Sequence, residues 1–176
     1  MRPVTLSLKG KALALLAARD YARAEMERKL LHWLELRARA HAEALTPADI
    51  QPPEAGLDPA ERLRAIHAVL DEMQQKQFQS DERAAQSLVY RRAGKLGTAR
   101  IAQELRRKGL DDNTIAGALD TLEGSELERA RAIWEKKFGQ PPATPQERAK
   151  QMRFLASRGF GGDTVRRVLH GSTDDD

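Results

Sequence analysis

The chain has no cysteine, which excludes disulfides, thiolate metal sites and cysteine nucleophiles and suits a reducing compartment. Aromatic residues are only 5% of its 176 residues, so a core must be built mainly from Leu, Ala, Ile and Val. Long apolar runs are also missing. The longest, Ala12 to Ala18, falls far short of the ~20 residues that a membrane-spanning helix requires. The start, Met1 to Lys11, lacks the charged, apolar, small-residue order of a secretory signal, so a cytoplasmic location is expected. Catalytic patterns are absent as well. His32, His41, His67 and His170 form no helical pair at metal-ligand spacing, and each reads as a surface residue. Gly94-Lys95 has neither the upstream glycine nor the following Ser/Thr of a phosphate loop. Gly159-Phe160-Gly161-Gly162 has no strand before it and reads as a tight helix–helix turn. With no nucleophile, base and orienting group in sight, no enzyme, cofactor or metal is expected.

Strand patterns are nearly missing too, and helical periodicity takes their place. Leu13, Leu16 and Ala17 form a short stripe; Leu63, Ile66, Leu70 and Met73 recur at spacings of three and four. Ile115, Ala118, Leu119 and Leu122 repeat that pattern, as do Leu127, Ala130, Ile133 and Trp134. Asp58-Pro59-Ala60-Glu61 and Thr144-Pro145-Gln146-Glu147 each place a capping oxygen, a proline at the first helical position and a Glu that can reach back. Ser125 to Glu128 is a further capping box, and Gly109 and Gly159 stop helices with basic ends. Helices of about 8–14 residues are expected from these signals.

The chain also repeats itself. At an offset of 50, Leu105, Lys108 and Gly109 fall on Leu155, Arg158 and Gly159, and Thr114, Ile115 and Leu119 fall on Thr164, Val165 and Leu169. A weaker copy, Glu25 to Lys29, matches Glu104 to Lys108. The expected architecture is all-α, an elongated tandem array of three three-helix repeats. The first spans residues 8–74, with a proline-rich insertion at about 46–58; the second spans 78–123 and the third 125–170. The helices are expected at 8–19, 22–36 and 59–74; at 81–93, 98–108 and 112–123; and at 126–138, 145–157 and 163–169. An acidic tail, 171–176, is expected to be disordered.

Net charge is +4, but it is distributed in blocks. Residues 1–40 carry +5, 41–90 carry −5, 91–110 carry +6, 111–130 carry −5 and 131–170 carry +6. Solvated helix faces with internal ion pairs explain any single block; three basic blocks favour a polyanionic partner. The sharpest cluster holds Arg91, Arg92, Lys95, Arg100, Arg106 and Arg107, joined by Lys108. Arg100 and Arg107 lie seven apart, hence on one helix face. Guanidinium groups match phosphate and carboxylate oxygens in a two-pronged fork. Solubility, with neutralisation of Asp111 and Asp112, explains the same cluster without a ligand. A helix-turn-helix reader of duplex DNA is disfavoured, because the second helix, Asn113 to Leu122, has no Lys or Arg and carries Asp120. The later Arg166 and Arg167 keep nucleic-acid contact open. Trp33, Trp134, Phe138, Phe154 and Phe160 read as core residues, while Tyr90 is ambiguous.

Four segments resemble the RecX family of bacterial recombination regulators. They are Lys11-Ala12-Leu13 with Leu15-Leu16 and Tyr21-x-Arg23-x-Glu25; Asp81-Glu82-Arg83-Ala84; Gly94-x-x-Gly97-x-x-Arg100-Ile101-x-x-Glu104-Leu105-x-x-Lys108-Gly109; and Arg153-Phe154-Leu155-x-x-Arg158-Gly159-Phe160. The resemblance covers about residues 8–170. It implies three tandem three-helix repeats and a non-enzymatic protein that binds the RecA recombinase in the groove of its filament on single-stranded DNA. It further implies inhibition of filament growth, ATP hydrolysis, strand exchange and repressor cleavage, and hence a role in DNA repair, recombination and the SOS response. The expected electrostatic contacts to RecA or DNA are the cluster from Arg91 to Arg107, with Arg153 and Arg158. The alternative is a general single-stranded nucleic-acid-binding helical module that competes for DNA. The charged surface suits a monomer. Three features depart from the family pattern. Ala84 stands where a phenylalanine is usual, Ala22 stands where a Ser or Thr is frequent, removing a helix cap worth about 1 kcal/mol, and the proline-rich stretch is extra.

Overall fold

A computed structural model describes residues 6–42 and 53–170. Its helices are α1 (Leu8–Ala18), α2 (Arg23–Ala42), α3 (Pro59–Gln75), α4 (Asp81–Ala93), α5 (Thr98–Lys108), α6 (Asp112–Leu119), α7 (Glu126–Lys137), α8 (Pro145–Ser157) and α9 (Gly162–His170), with a 3-10 turn at Pro53–Gly56. No strand occurs among the described residues, so the protein is all-α. Residues 46–52 of the proline-rich stretch and the tail 171–176 lie outside the described residues.

The capping signals take the expected geometry with one change. Asp58 and Glu61 form a reciprocal capping box on α3, and Ser125 and Glu128 form one on α7. On α8 the Thr144 hydroxyl accepts from Glu147 N–H, but the Glu147 carboxylate accepts from Ala143 N–H at 2.8 Å rather than from the cap amide. Two helices are longer than expected: α2 has 20 residues and α3 has 17. On the other side, α6 stops at Leu119, and Thr121 and Leu122 form the turn after it.

The chain divides into two compact units, residues 1–84 and 85–176. In the first, Leu8 and Ala12 of α1 meet Met26, Leu30 and Leu34 of α2 and Ile66, Leu70 and Met73 of α3. All eight are fully buried, and each large aliphatic side chain contributes roughly 1.5–3 kcal/mol. The expected α1 stripe is wrong in detail: Leu13 and Ala17 are exposed, and the buried line is Leu8 and Ala12, flanked by Leu15 and Leu16. The start of α2 also corrects the expectation at Ala22. The Asp81 carboxylate accepts from Arg23 N–H at 2.7 Å, so a residue distant in sequence supplies the cap. Buried Gln79 steadies that carboxylate, donating to it at 2.7 Å and to the Tyr21 carbonyl at 3.1 Å. Arg83 donates to the Gln77 and Phe78 carbonyls and closes the α3–α4 turn. The Asp-Glu-Arg segment is thus a structural clasp.

In the second unit α5 packs on α6, and α9 packs on both α7 and α8. Ala130, Trp134, Leu155, Phe160, Val165 and Leu169 form the core of the last three helices. The offset-50 repeat is visible in the backbone. Gly109 and Gly159 have φ of 88° and 83°, and in each copy the amide after that glycine returns to the leucine carbonyl, Leu110 to Leu105 and Phe160 to Leu155, both at 3.4 Å. Leu105 and Leu155 are fully buried.

Candidate functional site

Two close contacts lock α5 to the end of α8. Gly97 N–H donates to the Arg158 carbonyl at 2.8 Å. A Cβ built on Gly97 would lie 2.4 Å from the Gly159 carbonyl oxygen, and one on Gly159 would lie 2.5 Å from Arg100 Cβ. Only glycine permits this approach, and Gly159 needs its positive φ besides. Gly97 offers no side chain to cap α5, and Glu126 of α7 takes that role: its carboxylate accepts from Thr98 N–H at 3.0 Å and from the Thr164 hydroxyl at 3.2 Å. Partial burial alone would raise the Glu126 pKa, but these hydrogen bonds outweigh it and hold the carboxyl below its ordinary value.

This lock brings the ends of α4, α7 and α8 together over the first turns of α5, and the space between them is a groove of about 590 Å³. Arg92 and Lys95 line it from the end of α4, Arg100 from α5, Lys136 and Lys137 from the last turn of α7, and Arg158 from the end of α8. Among the described residues Glu104 is the only carboxylate on the wall, and it holds Arg92 at 2.8 Å. Arg100 donates to the neutral Gln103 amide oxygen at 2.9 Å. The Arg158 guanidinium lies 3.7 Å from the centre of the Phe154 ring, a cation–π contact, and Phe154 in turn meets Phe138 edge-on at 5.0 Å. Among the described residues Lys95, Lys136 and Lys137 have no ion-pair partner.

Cations at helix C-termini offset the helix dipole whatever else they do, which accounts for basic residues at the ends of α4, α5 and α7. It does not account for the ends of α4, α7 and α8 sharing one cavity with Arg100, which lies in the first turn of α5. The structure therefore gathers four of the eight expected contact residues, Arg92, Lys95, Arg100 and Arg158, on one wall system. Arg91, Arg106, Arg107 and Arg153 do not line it. Arg106 pairs with Asp112 at 3.1 Å, as the charge-neutralising explanation expects, while Arg107 continues the Arg100 face one heptad along. Sequence reading missed Lys136 and Lys137. The +6 over residues 131–170 was their only signal, and nothing in the α7 pattern says that its end faces Arg100.

Beside this groove lies a second pocket of about 490 Å³, lined by Val89, Tyr90, Ala93, Leu122 and Ala132. It shares Gly94, Ile133 and Lys136 with the basic groove. Tyr90 is 88% exposed, while Trp134 and Phe160 are core residues as expected. Among the described residues no cluster of carboxylates or histidines could hold a metal ion, and no helix is long and apolar enough to cross a membrane.

Known proteins are similar to this chain in sequence and in fold. The family model for the second three-helix domain of RecX matches residues 80–119, and that for the third matches residues 125–169. The regulatory protein RecX of Leptothrix cholodnii is 48% identical over 93% of this chain and 88% of its own length. That of Ralstonia nicotianae is 38% identical over 95% and 89%. The crystal structure of RecX from Lactobacillus salivarius superposes with a TM-score of 0.61 over 93% of this chain and 92% of its own, at 20% identity. With sequence identity of that extent over nearly the whole length, the chain belongs to the RecX family of regulatory proteins.

Proposed function

We propose that the chain is a non-enzymatic regulator that docks onto the RecA recombinase filament assembled on single-stranded DNA and inhibits its ATP hydrolysis, strand exchange and promotion of repressor cleavage. The observation that carries this reading is the convergence of Arg92, Lys95, Arg100 and Arg158 on one groove within the segments that match the family. A filament on DNA is a dense array of phosphates and carboxylates, and a basic face docks to such a surface by complementary charge. The partner reading comes from family membership; the charge supplies the means of contact.

Arg100→Glu with Arg107→Glu reverses two charges on one face of α5, where both side chains are exposed. The variant should need about tenfold more protein to half-inhibit the single-strand-dependent ATPase of RecA, with helicity unchanged by circular dichroism. Unchanged inhibition would reject the basic face as the contact. The second reading, a module that only competes for single strands, rests on the same groove. It requires tight binding to naked DNA, and inhibition that vanishes when free single strands are in large excess. Inhibition that survives such an excess supports direct contact with the recombinase.

A further inference from the structure

The glycines of the α4–α5 turn differ in a way that packing does not explain. Gly97 is forced by its contact with the Gly159 backbone. Gly94 is not forced: its φ is not positive, and a Cβ built on it meets nothing within 4 Å. A larger residue would fit the fold equally well. What Gly94 does border is the junction of the basic groove and the apolar pocket, which share it with Ile133 and Lys136. The two spaces thus adjoin along these three residues, and Gly94 puts no side chain between them.

The joined space has two unlike halves. In one, cations from α4, α5, α7 and α8 line one volume, with Glu104 the one carboxylate among its described lining residues. Cations drawn from four helices into one volume of this size can hold a compact polyanion by charge-assisted hydrogen bonds. In the other half, the exposed Tyr90 ring shares a mainly apolar lining with Ala93, Leu122 and Ala132, with Glu123 and Arg129 among its polar residues, a surface for a flat ring with polar edges. A ligand that fits both halves at once carries several phosphates at one end and an aromatic ring system at the other.

We propose that the two halves form one site for a nucleoside polyphosphate. Its phosphates sit among Lys95, Arg100, Lys137 and Arg158, its chain passes Gly94, and its base stacks on Tyr90. The bound nucleotide neutralises the cations that the filament-docking reading uses, so the two ligands exclude one another. The site itself rests on groove geometry, and its test needs no recombinase.

The test is equilibrium titration of the full chain with a fluorescent ATP analogue, with inorganic tripolyphosphate and adenosine as the separate halves and a short oligothymidylate as the polymeric competitor. Saturable binding is expected, weakened at least tenfold by Arg100→Glu with Lys137→Glu. Tyr90→Ala and Gly94→Leu should each weaken the analogue severalfold and leave tripolyphosphate binding unchanged; both positions tolerate the change, since Tyr90 is exposed and Gly94 has open space around it. Arg148→Glu, a reversal outside the groove, should have no effect. The proposal is overturned if tripolyphosphate binds as tightly as the analogue and Tyr90→Ala and Gly94→Leu leave the analogue unaffected. It is equally overturned if the analogue does not bind at millimolar concentration, or if the oligonucleotide occupies the groove and excess analogue fails to displace it.

Discussion

At the scale of single residues, the contact between Gly97 and Gly159 makes the strongest demand on side-chain identity. Gly159→Ala places a methyl group against Arg100 and forces an L-residue to φ 83°, for a combined cost of about 2–4 kcal/mol. Gly97→Ala meets backbone rather than a movable side chain, and should cost about 1–3 kcal/mol. Because both methyls open the same contact, the double variant should lose less than the sum of the two. Gly94→Ala should stay within about 0.5 kcal/mol of the parent. Denaturant unfolding of the four variants checks the set, and a Gly94→Ala loss as large as that of Gly97→Ala would show that the turn is tighter than it looks. Part of this was legible beforehand. Gly159 follows a helix with a basic end, a position that favours glycine, and it recurs at the repeat offset with Gly109. That Gly97 touches Gly159 was not legible, because the contact joins residues 62 apart with no paired hydrophobic pattern to announce it.

Among the helices, the sequence reads well where one face differs from the other. In α3 the buried residues Ile66, Leu70 and Met73 are the ones the periodicity selects. In α1 it fails for a physical reason: Ala12 to Ala18 is apolar on every side, so no face is marked, and packing against α2 and α3 alone chooses Leu8 and Ala12. Caps borrowed from distant residues are equally hidden. Asp81 for α2 and Glu126 for α5 serve helices other than their own. Glu126→Gln keeps the size but removes the anion from the α5 N-terminus, and should cost about 1 kcal/mol near neutral pH. Because the folded Glu126 pKa lies below its ordinary 4.5, the carboxylate's contribution is present above that value and fades as the pH falls through the lower, folded-state pKa. The thermal midpoints of parent and variant should therefore differ by about 2–4 °C at neutral pH and converge in acid. Glu72 follows the same sign. Hydrogen bonds from Lys76 and Lys9 hold its pKa at about 2, so the link it makes between α1 and α3 should persist until strongly acidic conditions.

For the molecule as a whole, a net charge of +4 understates what a partner meets. The N-terminal basic block is partly cancelled within its own unit: Lys9 pairs with Glu72 at 2.6 Å, Arg19 with Glu25 at 2.6 Å and Arg23 with Asp71 at 2.7 Å. The two later blocks hold ion pairs too, Arg92 with Glu104 and Arg106 with Asp112, but they differ in where their other cations gather. Each supplies cations to one groove that has a single carboxylate. In the sequence all three blocks carry nearly the same charge, because nothing there marks which acidic neighbours fold back onto which cations. The difference has a measurable consequence. Six cations line the groove and Glu104 neutralises one of them, Arg92, leaving about five to displace counterions from a single-stranded backbone, for a slope of roughly −3.5 in log affinity against log salt. Between 50 and 200 mM salt, then, the amount of protein needed for half-inhibition of the recombinase ATPase should rise about a hundredfold if all five meet phosphates. Lys136→Ala with Lys137→Ala should flatten the slope to about −2, by removing two of the five. Reversals in the first unit should leave it alone, since those side chains already spend their charge on their own carboxylates. A slope near zero would mean that the groove cations do not meet the nucleic-acid backbone, and would shift the docking contact to the apolar surface around Tyr90, where salt has little to screen.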